Sequence, residues 1–392
     1  MGMLKYNYNR DREIDRLNRQ YFQSKGTLIE IHTADLHFGV INPKVQYDIL
    51  CEQLLDKVKD VPFNIFSIDG DIFDHKFMSN SDAVMYATMF IDRVVKLCKQ
   101  KNATLFLIGG TELHDAGQLK LFYHYLHDPM IDIRIVEEAR FEYAKNAKIL
   151  CIPELYNKGE DYYTDLLMTQ TYDTVFMHGA YNGAIFNMNP KGLDSDREVT
   201  WKMDNFQYCK GPIISGHVHV QGCFDKYVYY CGSPIRWQFG EEQPKGFLVV
   251  LHNLDTHEHM VHFEEINSFR YDTINVDCML QDDPKNVIDY VTNLKDNGID
   301  YIRLEFTQVN EDNIANFNII NNYYKNSNTV KIKNNYNEKQ KILDTNEESL
   351  QEYSEYEYVL DTRMNPNEIF CKYVNQQKGY EYITVDDLID IL

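Results

Sequence analysis

Cationic side chains are scarce in this chain of 392 residues: 39 Lys and Arg stand against 60 Asp and Glu, a formal charge of −21. Non-specific affinity for nucleic acid comes largely from Lys and Arg neutralising phosphates, so surface charge alone does not hold a polyanion here. A nucleic-acid substrate would have to be drawn in by bound metals or by a more basic partner. Long apolar runs are also missing. None reaches the ~20 residues of a membrane-crossing helix. The start MGMLKYNYNRDREIDRLNRQ lacks a hydrophobic signal-peptide core, so a cytoplasmic protein with no membrane association is expected. The eight cysteines (51, 98, 151, 209, 223, 231, 278 and 371) include no CxxC pair, which reads as reduced, mostly buried thiols and does not support a cysteine metal site. No internal repeat is evident.

The chain is long enough for two or three domains, and its 44% hydrophobic and 25% charged residues are ordinary for a globular protein. After a polar extension at 1–26, apolar segments alternate with amphipathic ones. TLIEIHT runs into ADLHFG, a helical stretch covers 45–58, and NIFSID ends in GDIFD. A second helical stretch covers 82–99, and ATLFLI ends in GGTELHD. Further strands are expected at 148–153, 174–178, 212–215 and 226–231, then a hairpin around Asn253-Leu254-Asp255. This repetition predicts an α/β fold, and ligand sites in such folds gather at strand ends. After 269 the pattern changes to a smaller α+β unit with strands YDTINVD, YIRLEFT and TVKIK and helices near 284–295 and 312–324. Residues 334–362 are an acidic linker, and 363–392 offer two short amphipathic helices.

Five segments carry candidate chemistry, each following an apolar strand: Asp35-Leu36-His37; Gly70-Asp71-Ile72-Phe73-Asp74; Gly110-Thr111-Glu112-Leu113-His114-Asp115; His178-Gly179; and Gly216-His217-Val218-His219. In D-x-H or H-x-H at a strand end, alternate side chains point the same way and reach one cation or adjacent cations. The pooled carboxylates and imidazoles suit Mn, Fe or Zn better than Ca or Mg, which prefer all-oxygen shells. Attack on a phosphodiester needs a hydroxide-like nucleophile at neutral pH and positive charge on the phosphoryl oxygens. Two divalent cations supply both, and a carboxylate such as Asp71 suits the position between them. A histidine that is not a ligand can protonate the leaving oxygen.

This order of motifs resembles the calcineurin-like metallophosphoesterases. Within them, Gly232-Ser233-Pro234-Ile235-Arg236-Trp237-Gln238-Phe239-Gly240-Glu241, followed by Lys245-Gly246-Phe247, resembles the GSP-x-R-x-x-F-x-E stretch of SbcD nucleases. The resemblance covers about 27–265 and implies a four-layer β-sandwich flanked by helices. The unit at 269–333 looks like the capping domain of SbcD-type and tailed-phage recombination nucleases. Carried over by motif, Asp35, His37 and His219 bind one metal, His178 and His217 the second, and Asp71 bridges. His114 is the catalytic histidine, oriented by Asp115, and Asp74 stands behind the ligands. The family commonly has G-N-H-D, whose Asn coordinates the second metal; here G-T-E-L-H-D has no Asn. The Thr111 hydroxyl, Glu112 or a water are the alternatives.

The resemblance further implies a Mn-dependent DNA endo/exonuclease in a 27–268 domain, dimeric within a heterotetramer. Its partner is an SbcC-like coiled-coil ATPase, docked by 365–392, which supplies most of the DNA surface. An enzyme acting on small-molecule or protein phosphate esters shares the same metal core and is favoured by the acidic charge; a non-catalytic scaffold ranks last. His32, His75, His124, His127 and His252 read as ordinary surface or core residues. His257, His259 and His262 read as a solvated strand face, since they lie far from any Gly-rich loop. Arg236 and Trp237 read equally as DNA contacts or as packing.

Overall fold

The computed structural model describes residues 26–182 and 199–334, apart from 226, 242, 280–282, 308 and 310–312. The extension at 1–25, most of the linker and the C-terminal docking element lie outside the described residues. The chain divides between Tyr271 and Asp272 into two compact units.

The first unit is built on two six-stranded sheets. Strands β1 (Thr27–Thr33), β2 (Ile65–Asp69), β3 (Thr104–Ile108) and β4 (Asp132–Val136) lie parallel. Antiparallel β11 (Gly246–Asn253) and β12 (His259–Glu265) extend the edge beyond β1, giving the order β12-β11-β1-β2-β3-β4. The second sheet runs β5 (Arg140–Ala144), β6 (Ala147–Ile152), β7 (Thr174–His178), β8 (Ile213–Gly216), β10 (Val228–Tyr230) and β9 (Gly222–Phe224), with β6, β7, β8 and β10 parallel.

Period-two alternation assigns each face. Leu28, Ile65, Phe106 and Ile108 of the first sheet meet Ala147, Ile149, Cys151 and Phe176 of the second in the inter-sheet core. The intervening Ile29, Ile31, Phe66, Ile68, Leu105 and Leu107 turn outward, onto helix α2 (Asp82–Lys101) and the helical stretch at 43–58. On the far side, Leu150, Ile152, Val175 and Met177 pack against Tyr163 and Leu167 of helix α3 (Glu160–Met168). The result is helix, sheet, sheet, helix: the α/β class read from the repetition and the four layers implied by the resemblance, with two sheets where the repetition alone implied one central sheet. Strands buried on both faces read as continuous apolar runs, which is why IFSID and TLFLI are fully buried.

Helix boundaries follow capping chemistry. Helix α1 (Pro43–Ile49) starts after Asn42, whose side chain accepts from the Lys44 and Val45 amides, and runs on through a π-helical turn at Leu50–Leu55. Helix α2 starts at Ser81, whose hydroxyl caps Val84. Strands β4 and β5 belong to a stretch, 116–147, for which the sequence reading assigns no element.

The second unit is α+β, with sheet order β13 (Tyr271–Asn275), β14 (Tyr301–Phe306), β15 (Val330–Asn334), the latter two parallel. Helices α4 (Pro284–Asp296) and α5 (Ile314–Tyr324) join it in a core of Val287, Val291, Ile302, Leu304, Phe306 and Ile320.

Candidate metal centre

The carboxyl ends of β1, β2, β3, β6, β7 and β8 come together, and the loops after them bring one cluster of side chains into contact. On one side Asp35, His37 and His219 converge: His37 Nε2 is 3.2 Å from His219 Nε2, and His219 Nε2 is 3.8 Å from Asp35 Oδ1. On the other side are His178, His217 and Glu154, with Glu154 Oε2 at 3.0 Å from His217 Nδ1 and 3.7 Å from His178 Nε2. Asp71 lies between, its Oδ2 at 3.5 Å from His37 Nε2 and 3.3 Å from His178 Nε2.

The local backbone is unusual. Asp35, His37, Asp71 and His217 all have positive φ, at 53°, 47°, 54° and 87°. For residues with a Cβ this is strained, and strain of this kind concentrates at functional sites. The glycines beside them permit contact: a Cβ on Gly70 would fall 2.1 Å from His178 Nδ1, and one on Gly110 2.1 Å from Asp71 Oδ1.

The donor atoms fit divalent cations. Asp35 Oδ2 and His178 Nε2 are buried without a hydrogen bond, an arrangement that costs free energy unless a cation meets them. His178 Nδ1 donates to the Asp69 carbonyl at 2.7 Å, which fixes the tautomer and turns Nε2 towards Asp71. Two triads with the Asp71 carboxylate between them, each mixing oxygen and nitrogen donors, are compatible with a pair of divalent metal ions.

Electrostatics agree with this. Burial resists the charged form of Asp71, but His178, His114 and His37 outweigh it and hold the carboxyl well below its ordinary range. Burial pushes His37 down to about 4 and, with His37 beside it, depresses His219, which favours neutral imidazoles with free lone pairs. Burial disfavours a charged His178 too, yet Asp71, Asp35 and Glu154 raise its proton affinity; a cation among the same groups would take the proton's place.

His114 stands on the one-turn helix Glu112–Asp115, about a third exposed, with Nδ1 2.7 Å from Asp71 Oδ2. Burial disfavours its charged form, but the hydrogen bond and charge of Asp71 win and raise its pKa. The expectation that Asp115 orients His114 is corrected. Asp115 accepts hydrogen bonds from the Gly110, Ile72 and Phe73 amides at 2.8, 2.9 and 3.2 Å, so it ties the β2 and β3 loops together while Asp71 holds the imidazole. Asp74 Oδ1 lies 3.6 Å from His37 Nδ1, behind the cluster. The Thr111 hydroxyl is inside it, 3.3 Å from Asp71 Oδ2 and 3.2 Å from Glu154 Oε2. Glu112 is exposed and contributes to none of the ligand groups found among the described residues.

Glu154 is the residue that sequence reasoning missed. Its signal was present: like Asp35 and Asp71, it is a carboxylate just past a buried strand, here KILCIP. No neighbouring histidine or glycine marked it.

The stretch 231–247 proves to be a clamp on this cluster. Buried Lys245 donates to Glu241 Oε1, Ser233 Oγ and the His219 carbonyl at 2.9, 2.7 and 3.0 Å, and Glu241 Oε2 accepts from the Trp237 amide. The Trp237 ring then packs edge-on against His37 and His219, at 4.9 and 4.8 Å between centroids. Arg236 spends its guanidinium on the Glu241, Gln243 and Phe269 carbonyls, which is the packing reading of that residue. Elsewhere His259 meets Tyr229 and His262 meets Glu264; with His257 they join no ligand group among the described residues.

No family model matches the chain. "Putative phosphoesterase 244L" of Invertebrate iridescent virus 6 is 23% identical over 225 residues, 56% of this chain and 74% of that protein. Among solved structures, one is 10% identical and covers 61% of this chain and all of its own, with a TM-score of 0.40. The cold-active protein-tyrosine phosphatase of a psychrophilic Shewanella is 12% identical over 60% of this chain and 80% of its own, at 0.28. Superpositions this loose support no inference about chemistry. Among the described residues no helix is long and apolar enough to cross a membrane.

Proposed function

We propose that this chain is a metal-dependent phosphoesterase whose substrate is a phosphodiester, with DNA as the favoured class. The observation that carries the reading is the double triad around Asp71. Bound divalent ions, Mn2+ by the donor set, would supply a water of lowered pKa and positive charge on the phosphoryl oxygens. The chain's own groups do the rest. Asp35, His37 and His219 would hold one ion and His178 and His217 the other, with Asp71 between them. His114, on the rim with Nδ1 2.7 Å from Asp71 Oδ2, would give a proton to the leaving oxygen. The similarity to "Putative phosphoesterase 244L" supports the reaction class.

DNA is favoured because 231–247 resembles SbcD nucleases and this stretch packs directly on His219. With a charge of −21, the chain would work beside an SbcC-like coiled-coil ATPase that provides the basic surface, as a homodimer within a heterotetramer. The test is digestion of linear duplex and single-stranded DNA with Mn2+ by the wild type, Asp71→Ala and His114→Ala, with and without candidate ATPases. Metal-dependent cutting lost in both variants is expected; equal cutting by all three would defeat the proposal.

One observation favours a smaller phosphoester instead. A cleft of about 300 Å3 opens beside Glu154, lined by Glu112, Glu137 and Lys158 among others, and acidic walls disfavour a polyanion. Faster turnover of an aryl phosphomonoester than of an aryl phosphodiester or single-stranded DNA would decide for this second reading.

A further inference from the structure

We infer that Glu154 is the carboxylate ligand of the second cation, standing where the resembled family uses the amide of an asparagine. The inference rests on the two-cation reading of the cluster and deepens it.

Glu154 is 7% exposed, and its backbone is tied down beside the cluster. Pro153 precedes it at the end of β6, and its amide donates to the Gly109 carbonyl at 3.3 Å, fastening the β6 loop of one sheet to the β3 loop of the other. From there Oε2 reaches His217 Nδ1 and His178 Nε2. Fully buried His178 Nε2, which makes no hydrogen bond and lies 3.3 Å from Asp71 Oδ2, points into the same space. Three donors from three strand ends thus face one point, together with the Asp71 carboxylate. That is the pattern of a cation site rather than of a satisfied polar core.

The competing candidates fit less well. Glu112 is exposed on its helical turn. Thr111 lies within hydrogen-bond reach of both Glu154 and Asp71, so its hydroxyl proton is used on a carboxylate, and a neutral hydroxyl is a weaker donor to a divalent ion than a carboxylate. The Thr111 amide also donates to Asp71 Oδ1 at 2.7 Å. Thr111 therefore positions the two carboxylates.

The replacement changes the charge of the site. Asp35, Asp71 and Glu154 together bring three negative charges to two divalent ions, one more than a site with an amide ligand. The second ion is held more firmly, and the centre as a whole is less positive.

The test is metal content and affinity in the full chain, measured by equilibrium dialysis against Mn2+ with elemental analysis. Mn2+ electron paramagnetic resonance separates a coupled pair from an isolated ion. Two ions and a coupled spectrum are expected for the wild type, and one ion with an isolated spectrum for Glu154→Ala. Glu154→Gln should keep the second ion at roughly tenfold or more lower affinity, and Thr111→Ala should keep both. Far-UV circular dichroism and the retained first ion show that the variants are folded. Two ions bound unchanged by Glu154→Ala, loss of both ions from it, or loss of the second ion from Thr111→Ala alone would each overturn the assignment. A wild type that binds no ion would instead overturn the two-cation reading on which it rests.

Discussion

His114 and Asp115 are neighbours with opposite duties, and the difference comes from where each side chain points. Asp115 is buried and satisfies three main-chain amides, whereas His114 sits at the rim on Asp71. Asp115→Ala should therefore cost about 3 kcal/mol of stability, because it strands buried N–H groups; urea unfolding of the metal-depleted protein measures it. His114→Ala should leave stability and metal content alone and lower kcat by about 10²–10⁴-fold, read from aryl phosphodiester hydrolysis. At this scale the sequence was informative wherever a residue of the cluster shared a short motif with a glycine or a second candidate ligand. Asp35, His37, Asp71, His178, His217 and His219 all do. Glu154 does not, and the Asp71–His114 contact joins residues 43 apart through a fold that no local pattern encodes.

Among the elements, the inter-sheet core contains a charged network that no motif announced. Fully buried His32 donates from Nδ1 to Asp69 at 2.8 Å and from Nε2 to Glu30 at 3.2 Å, so both nitrogens are donors and the ring is an imidazolium. Burial opposes that charge, but Asp69 and Glu30 raise His32 to about 9. Burial likewise opposes an ionised Glu30, and His252 and His32 bring it down to about 2. The His32 contribution to stability is complete below about pH 6.5 and is lost as pH rises through 9; that of Glu30 is present above about 4.5 and lost as pH falls through 2. Urea midpoints should therefore drop between pH 7 and 10 in the wild type, and His32→Gln, less stable at neutral pH, should show a flatter profile over that range. A wild-type profile as flat as the variant's would contradict the assignment. The clamp at 231–247 makes a second prediction. Lys245→Met leaves Glu241 buried without its cation and should cost about 3–5 kcal/mol in thermal or urea unfolding. In the sequence, the strands were legible because burial on both faces gives unbroken apolar runs. β4 and β5 were not, because DIRIV and RFEYA alternate charged with apolar residues in a stretch without a glycine-rich loop to frame them.

For the molecule as a whole, the acidic charge and the cationic requirement of the proposed phosphoester site would be reconciled within a few ångströms. The chain's net charge is −21, yet the carboxylates of the cluster are buried between histidines at strand ends, where a pair of cations would reverse the local sign. The α/β class followed from periodicity, which implied one central sheet flanked by helices; the second sheet and the four layers came only with the family resemblance, and the loops met because parallel strands in both sheets end on the same side. Substrate size and partner do not follow from either, since they depend on surfaces that the sequence marks only by resemblance. A pair of cations at this cluster is tested most directly by anomalous diffraction from crystals soaked in Mn2+. Two peaks roughly 3.5–4 Å apart, one on each side of Asp71, are predicted; a single peak, or none within reach of His37 and His178, would contradict it.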